Sequence, residues 1–86
     1  SIAPNPFAKR TQIAFALPRE GQARLAVYDL RGRLVATLLD RVEVAGRHLT
    51  YWDGRNDRGD RLAAGIYIAR LQVAGAERTR KLVLLR

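Results

Sequence analysis

Cysteine and methionine are both absent from this 86-residue chain, serine and histidine occur once each, and proline occurs three times. Without cysteine no disulfide can brace the fold, so packing and strand pairing must hold it together. Ser1 and His48 stand alone of their kinds and no thiol is present, so nucleophilic catalysis is poorly supplied and is not expected. One histidine without cysteine also fails the ligand count of a zinc site. Long apolar runs are missing too: the longest are fragments such as "LVLL", against the ~20 residues of a membrane-crossing helix. The opening "SIAPNPF" has neither a basic region nor an apolar core of the kind a signal peptide needs, and we expect the chain to be a piece cut from a longer protein.

Positive charge is in excess. The formal net charge is +8, and of the 16 basic residues all but Lys9 and Lys81 are arginine. Such a balance suits anionic partners. The arginines are nevertheless scattered, with no block of like charge of the sort that marks a nucleic-acid arm, so a solvated basic surface is expected and nucleic acid is not. A chain of this length makes a single domain, residues 1–86, with a radius of gyration of about 12 Å. It hides roughly 60–65% of its unfolded surface, enough for one thin core and too little for an enclosed cleft.

The hydrophobic period is two. "TQIAFAL" alternates Ile13, Phe15 and Leu17 with small or polar residues, and Pro18 stops it. "QARLAVYD" sets Ala23, Leu25 and Val27 against Arg24, Ala26 and Tyr28. "RLVATLL" is apolar on both faces, as in a central sandwich strand. "RHLTYW" puts His48, Thr50 and Trp52 on one side, "IYIARLQVA" does the same with Tyr67, Ala69, Leu71 and Val73, and "RTRKLVLLR" ends the chain with Leu82 and Leu84 alternating against Lys81 and Val83. These make six strands, with "IAPNPF" an irregular seventh. "VATLLDRVEVAG" can be drawn on a helical wheel, but its Val, Thr and Gly46 favour a strand followed by a loop. In "YDLRGRLV", Asp29 is expected to accept backbone N–H groups at the start of a type I turn, and Gly32 to take the left-handed conformation that closes it.

The stretch "WDGRNDRGDRLAAGIY", residues 52–67, is the richest in candidate chemistry. Its Asp53, Asn56, Asp57 and Asp60 do not follow the calcium-loop spacing, no Glu closes the set, and three arginines sit among them. A glycosidase pair would need a cleft between its carboxylates. His48 is expected as a half-buried sheet residue. The architectural alternative uses more of the residues: Trp52 fills the core, Asp53 and Gly54 turn the chain, and Gly65 lets it bend before Tyr67 enters the next strand. No cofactor or metal is expected.

"APNPFAKRTQIAFALP", "LAVYDLRGRLVATLLD", "AGRHLTYWDGRNDRGDRLAAGIYIARL" and "RTRKLVLLR" together resemble the type A C-terminal sorting domain of type IX secretion substrates, similar in fold to the immunoglobulin-like domain of the flagellar hook-capping protein. The resemblance implies an immunoglobulin-like or fibronectin III-like β-sandwich of about seven antiparallel strands. It also implies a non-catalytic secretion and cell-surface attachment signal, read as a folded domain by an outer-membrane translocon. A sortase-like peptidase then removes such domains and joins the cargo to anionic lipopolysaccharide. Pro4, Asn5, Pro6 and Phe7 match the opening motif; Gly65, Ile66 and Tyr67, with Lys81 to Arg86, match the late ones. Asp29, Gly32, Trp52, Asp53 and Gly54 are the structural residues. An edge strand bearing Arg78, Arg80, Lys81 and Arg86 resists edge-to-edge aggregation while offering charge to an acidic receptor, and the last strand is the expected handle. The protein is expected to act as a monomer, without membrane insertion, exported across the outer membrane to the cell surface or medium. A module holding a parent enzyme on carbohydrate is the alternative, with Tyr28 and Tyr51 as its exposed rings, and a hook-cap structural domain is a third reading.

Overall fold

Alternation decides the architecture. The computed structural model describes all 86 residues as strands, turns and loops with no helix. The elements are β1 (Ile2–Ala3), β2 (Thr11–Leu17), β3 (Gly21–Tyr28), β4 (Leu34–Glu43), β5 (Gly46–Trp52), β6 (Gly65–Val73) and β7 (Ala76–Leu84). They form two antiparallel sheets, β1-β2-β5 and β4-β3-β6-β7, facing each other as a sandwich. The radius of gyration is 12.5 Å, in line with the length.

The apolar set of each strand lies between the sheets. Ile13 and Leu17 come from β2, Ala23, Leu25 and Val27 from β3, Ala36 and Leu39 from β4, Tyr67 and Ala69 from β6, and Leu82 and Leu84 from β7. Trp52 closes one end of this core, with Phe7 at 5.6 Å and Tyr67 at 5.3 Å between ring centroids, both edge-to-face. Such pairs add about 0.5–1.5 kcal/mol each beyond the area they bury. Ala26 departs from the alternation: it is fully buried although it belongs to the outer face of β3. The Arg70 guanidinium on the neighbouring strand lies 4.5 Å from the Tyr28 ring centroid, and a β-bulge beside Ala26 shifts the register with β4.

β4 differs from expectation in its end and in its place in the sheet. β4 runs on through Asp40, Arg41 and Val42 to Glu43, where the strand was expected to stop at Leu39. It is also an edge strand, and not a central one as its two apolar faces suggested. The reason is a substitute neighbour. Asp57 in the loop after β5 donates its backbone N–H to Val35 O at 3.2 Å and accepts the Thr37 N–H on Oδ1 at 2.9 Å, covering that part of the edge.

The opposite edge, β7, is covered in the same indirect way. After β1 the chain leaves the first sheet at Pro4, with Thr11 Oγ1 bonded to its carbonyl at 2.5 Å, and reaches the second sheet at Phe7. Phe7 N–H donates to Val83 O at 2.9 Å, and Leu85 N–H to Phe7 O at 2.7 Å, a parallel bridge. Asn5 extends it with its side chain, which donates to Lys81 O at 2.8 Å and accepts Val83 N–H at 2.9 Å. The "NPF" segment thus ties one sheet to the other along the C-terminal half of β7.

Candidate recognition surface

The 52–67 loop is built from its own side chains. Trp52 is buried, and its indole N–H donates to Arg55 O at 3.0 Å. Asp53 Oδ1 accepts Arg55 N–H at 3.2 Å. Asn56 Oδ1 accepts the N–H groups of Arg58 and Asp60, both at 3.0 Å, a side-chain turn of the kind asparagine forms readily. Asp57 caps β4. The Asp53, Asn56 and Asp57 side-chain oxygens are thus spent on separate backbone N–H groups, and no three acidic or histidine side chains converge.

Gly54 has φ +76°, and a Cβ placed there would lie 2.7 Å from Arg86 Nη2 and 3.0 Å from the Leu84 methyls. That close approach exists because Arg86 reaches back into the loop, donating from Nη2 to Gly54 O at 2.7 Å and from Nε to Leu62 O at 3.1 Å. The hairpin at Asp29 is equally local. Asp29 Oδ1 accepts Arg31 N–H at 2.9 Å and Arg33 N–H at 3.0 Å, Oδ2 meets Arg33 Nε at 2.9 Å, and Gly32 has φ +83°. The Arg33 backbone N–H, more than any other group, holds the Asp29 carboxyl below its ordinary range.

His48 lies in β5, half-buried as expected and paired with Phe15 of β2, with Nδ1 2.9 Å from Glu43 Oε2, Nε2 2.7 Å from Val44 O and its ring stacked on Phe15 at 5.3 Å. Both ring nitrogens are engaged by the turn. The hydrogen bond from Arg41 is the main cause of the lowered Glu43 carboxyl. Nothing here resembles a poised base. Tyr28 lies beneath Arg70 and receives a hydrogen bond from Arg24 Nη1 at 2.9 Å, so it is half-buried. Tyr51 is exposed alone, beside Arg10. With Trp52 and Tyr67 in the core, no planar aromatic row is left for a sugar chain.

The residues expected in recognition fall into separate groups. Gly65, Ile66 and Tyr67 pair with Leu84, Val83 and Leu82; Tyr67 points inward with its hydroxyl on Ala63 O at 2.7 Å, and Ile66 is exposed on the outer face. Lys81 pairs with Ile68 and lies on that outer face as well. Arg86 is held by the 52–62 loop. Arg78 and Arg80 are apart from all of these, near the β6–β7 turn, on the side of β7 that carries Leu82 and Leu84. They point toward the space between the sheets, an inward placement of charge that guards an edge strand. "KLVLLR" therefore holds two core leucines and a loop anchor, and sequence reasoning did not find the roles of Asn5, Asp57 and Arg86. All three need a partner distant in sequence, which no local pattern announces.

The comparisons with known proteins agree with this architecture. Residues 5–77 match the model of the FlgD Ig-like domain. The chain belongs to that family. Among solved structures, this FlgD Ig-like domain superimposes on part of dimeric latent PorU from Porphyromonas gingivalis with a TM-score of 0.76 and 19% identity, covering 99% of this chain and 9% of that one. The fold is thus shared with one small portion of a much larger protein. No curated protein matches it.

Proposed function

We propose that this FlgD Ig-like domain is a non-catalytic export and surface-attachment address for a larger extracellular protein, recognised in its folded form by type IX secretion machinery. The observation that carries this reading is the position of the motif residues. Asn5 to Phe7, Asp29 to Gly32, and Trp52 to Gly54 serve to cover an edge, close a hairpin and plug the core, so the chain is devoted to presenting a fixed outer surface. The likeness of its fold to part of PorU, a protein of type IX secretion, supports the same system. The one imidazole, His48, has both ring nitrogens engaged by Glu43 and Val44, which is consistent with a non-catalytic role. The partners under this reading are the outer-membrane translocon and a sortase-like peptidase that transfers the cargo to anionic lipopolysaccharide. The domain works as a monomer outside the cell or at its surface.

The test is a fusion of residues 1–86 to the C-terminus of a reporter directed to the periplasm of a type IX competent cell. Export of the reporter is expected. A folded, protease-resistant fusion that stays in the periplasm would contradict the reading. Deleting Lys81 to Arg86 is an unsuitable control, because it removes Leu82 and Leu84 from the core and would unfold the domain.

A further inference from the structure

The free edge of β7 has two unlike halves. From Lys81 onward it is occupied by Asn5 and Phe7. From Ala76 to Arg80 no strand lies beside it, and none of the backbone bonds outside the ladders reaches Glu77 or Thr79. Lys81, Val83 and Leu85 turn their peptide groups away from β6, and the two-residue alternation of an antiparallel ladder gives Glu77 and Thr79 the same orientation. Only the Thr79 carbonyl has a partner, Nη1 of its neighbour Arg80 at 2.8 Å. Alongside this half runs a groove of about 290 Å³ between the sheets, lined by Ile2, Phe15, Leu25 and Leu71, with Arg78 and Arg80 contributing to its wall.

Three features ask for one occupant. Unpaired N–H and C=O groups repeating every second residue fit an extended main chain. The apolar lining fits a large aliphatic side chain projecting inward from it. Two guanidiniums on that same inward side fit carboxylates. We propose that Ala76–Arg80 is a docking edge for an acidic extended peptide of a partner protein, which adds to the four-stranded sheet as a fifth strand. On docking, the Arg80 guanidinium leaves its own main chain for an incoming carboxylate, freeing the Thr79 carbonyl for the ladder. A second copy of the domain is a poor occupant, because pairing two β7 edges antiparallel sets arginines against arginines, and like charges opposed across strands destabilise. That the partner is the export receptor rests on the reading above; the chemistry of the edge does not.

The experiment is an NMR titration of the 86-residue domain with a blocked peptide in which threonine alternates with glutamate, leucine and glutamate. Two companions complete the set: one with lysine in place of glutamate, and one N-methylated on the edge that meets β7. The acidic peptide is expected to shift and protect the amides of Glu77 and Thr79. The double variant Arg78→Glu, Arg80→Glu should weaken it by about tenfold or more and bind the lysine peptide instead. Lys81→Glu, on the other face, should change the affinity little. The amide spectrum of each variant reports its fold directly. Equal binding of the N-methylated peptide, equal binding of the lysine peptide to the unaltered domain, or protection elsewhere would overturn the proposal. A fusion that is not exported while the acidic peptide still docks would count against the sorting reading alone. Normal export with no docking would count against the strand site alone.

Discussion

Arg86 and Gly54 are joined across 32 residues of sequence: Arg86 Nη2 donates to the Gly54 carbonyl at 2.7 Å, in space that only the missing side chain of glycine leaves open. Gly54→Ala would meet that nitrogen and the Leu84 methyls, at a φ of +76° that alanine disfavours. We expect a loss of about 1–3 kcal/mol. Arg86→Ala should cost less and should relieve part of the Gly54→Ala penalty when the two are combined. Chemical denaturation of the two single variants and the double variant measures this coupling.

Asn5 must both donate and accept. Its amide nitrogen serves Lys81 O and its oxygen serves Val83 N–H. Asn5→Asp keeps the second bond and turns the first into a repulsion between two acceptors. A destabilisation of about 1 kcal/mol is expected at this exposed site. Hydrogen exchange at Val83 and Leu85 should quicken ahead of exchange in β3.

Acid should weaken the Asp29 hairpin. The carboxyl is depressed in the folded state, so its contribution is complete above the unfolded value of about pH 4 and is lost as pH falls through the lower folded value. Asp29→Asn should therefore be less stable than the unaltered domain at pH 7, and the gap should close as pH falls through the depressed folded-state value. Thermal melts across that range check the sign.

Alkali should act on Tyr67. Burial, more than the nearby Asp29 charge, raises its phenol above the ordinary value, so stability held below about pH 10 is lost as pH rises further. A late component of the phenolate absorption should coincide with unfolding and be missing from Tyr67→Phe.

The strands were legible from period-two patterning because the sheets are half-buried and each slip of one residue would turn a hydrophobic set outward. Asp29 and Gly32 were legible because a turn is local. Trp52 was legible as the one large ring at a strand end. The covering of β4 by Asp57, the double role of Asn5 and the anchoring of Arg86 were not, since each joins residues at least 20 apart in sequence. The division of β7 followed from the same blindness. Its basic residues read as one stripe in sequence, whereas the fold pins Arg86 to a loop, sets Lys81 on the outer face and points Arg78 and Arg80 inward.

The most direct test of the sorting account is the extracellular fraction of a reporter fused to residues 1–86, measured in a type IX competent strain and in the same strain lacking its translocon. Trp52→Ala, expected to cost about 3–5 kcal/mol and so to unfold the domain, serves as the third arm. Reporter in the medium or on the surface only when both the translocon and the folded domain are present is the predicted result. Release that ignores either one would contradict it.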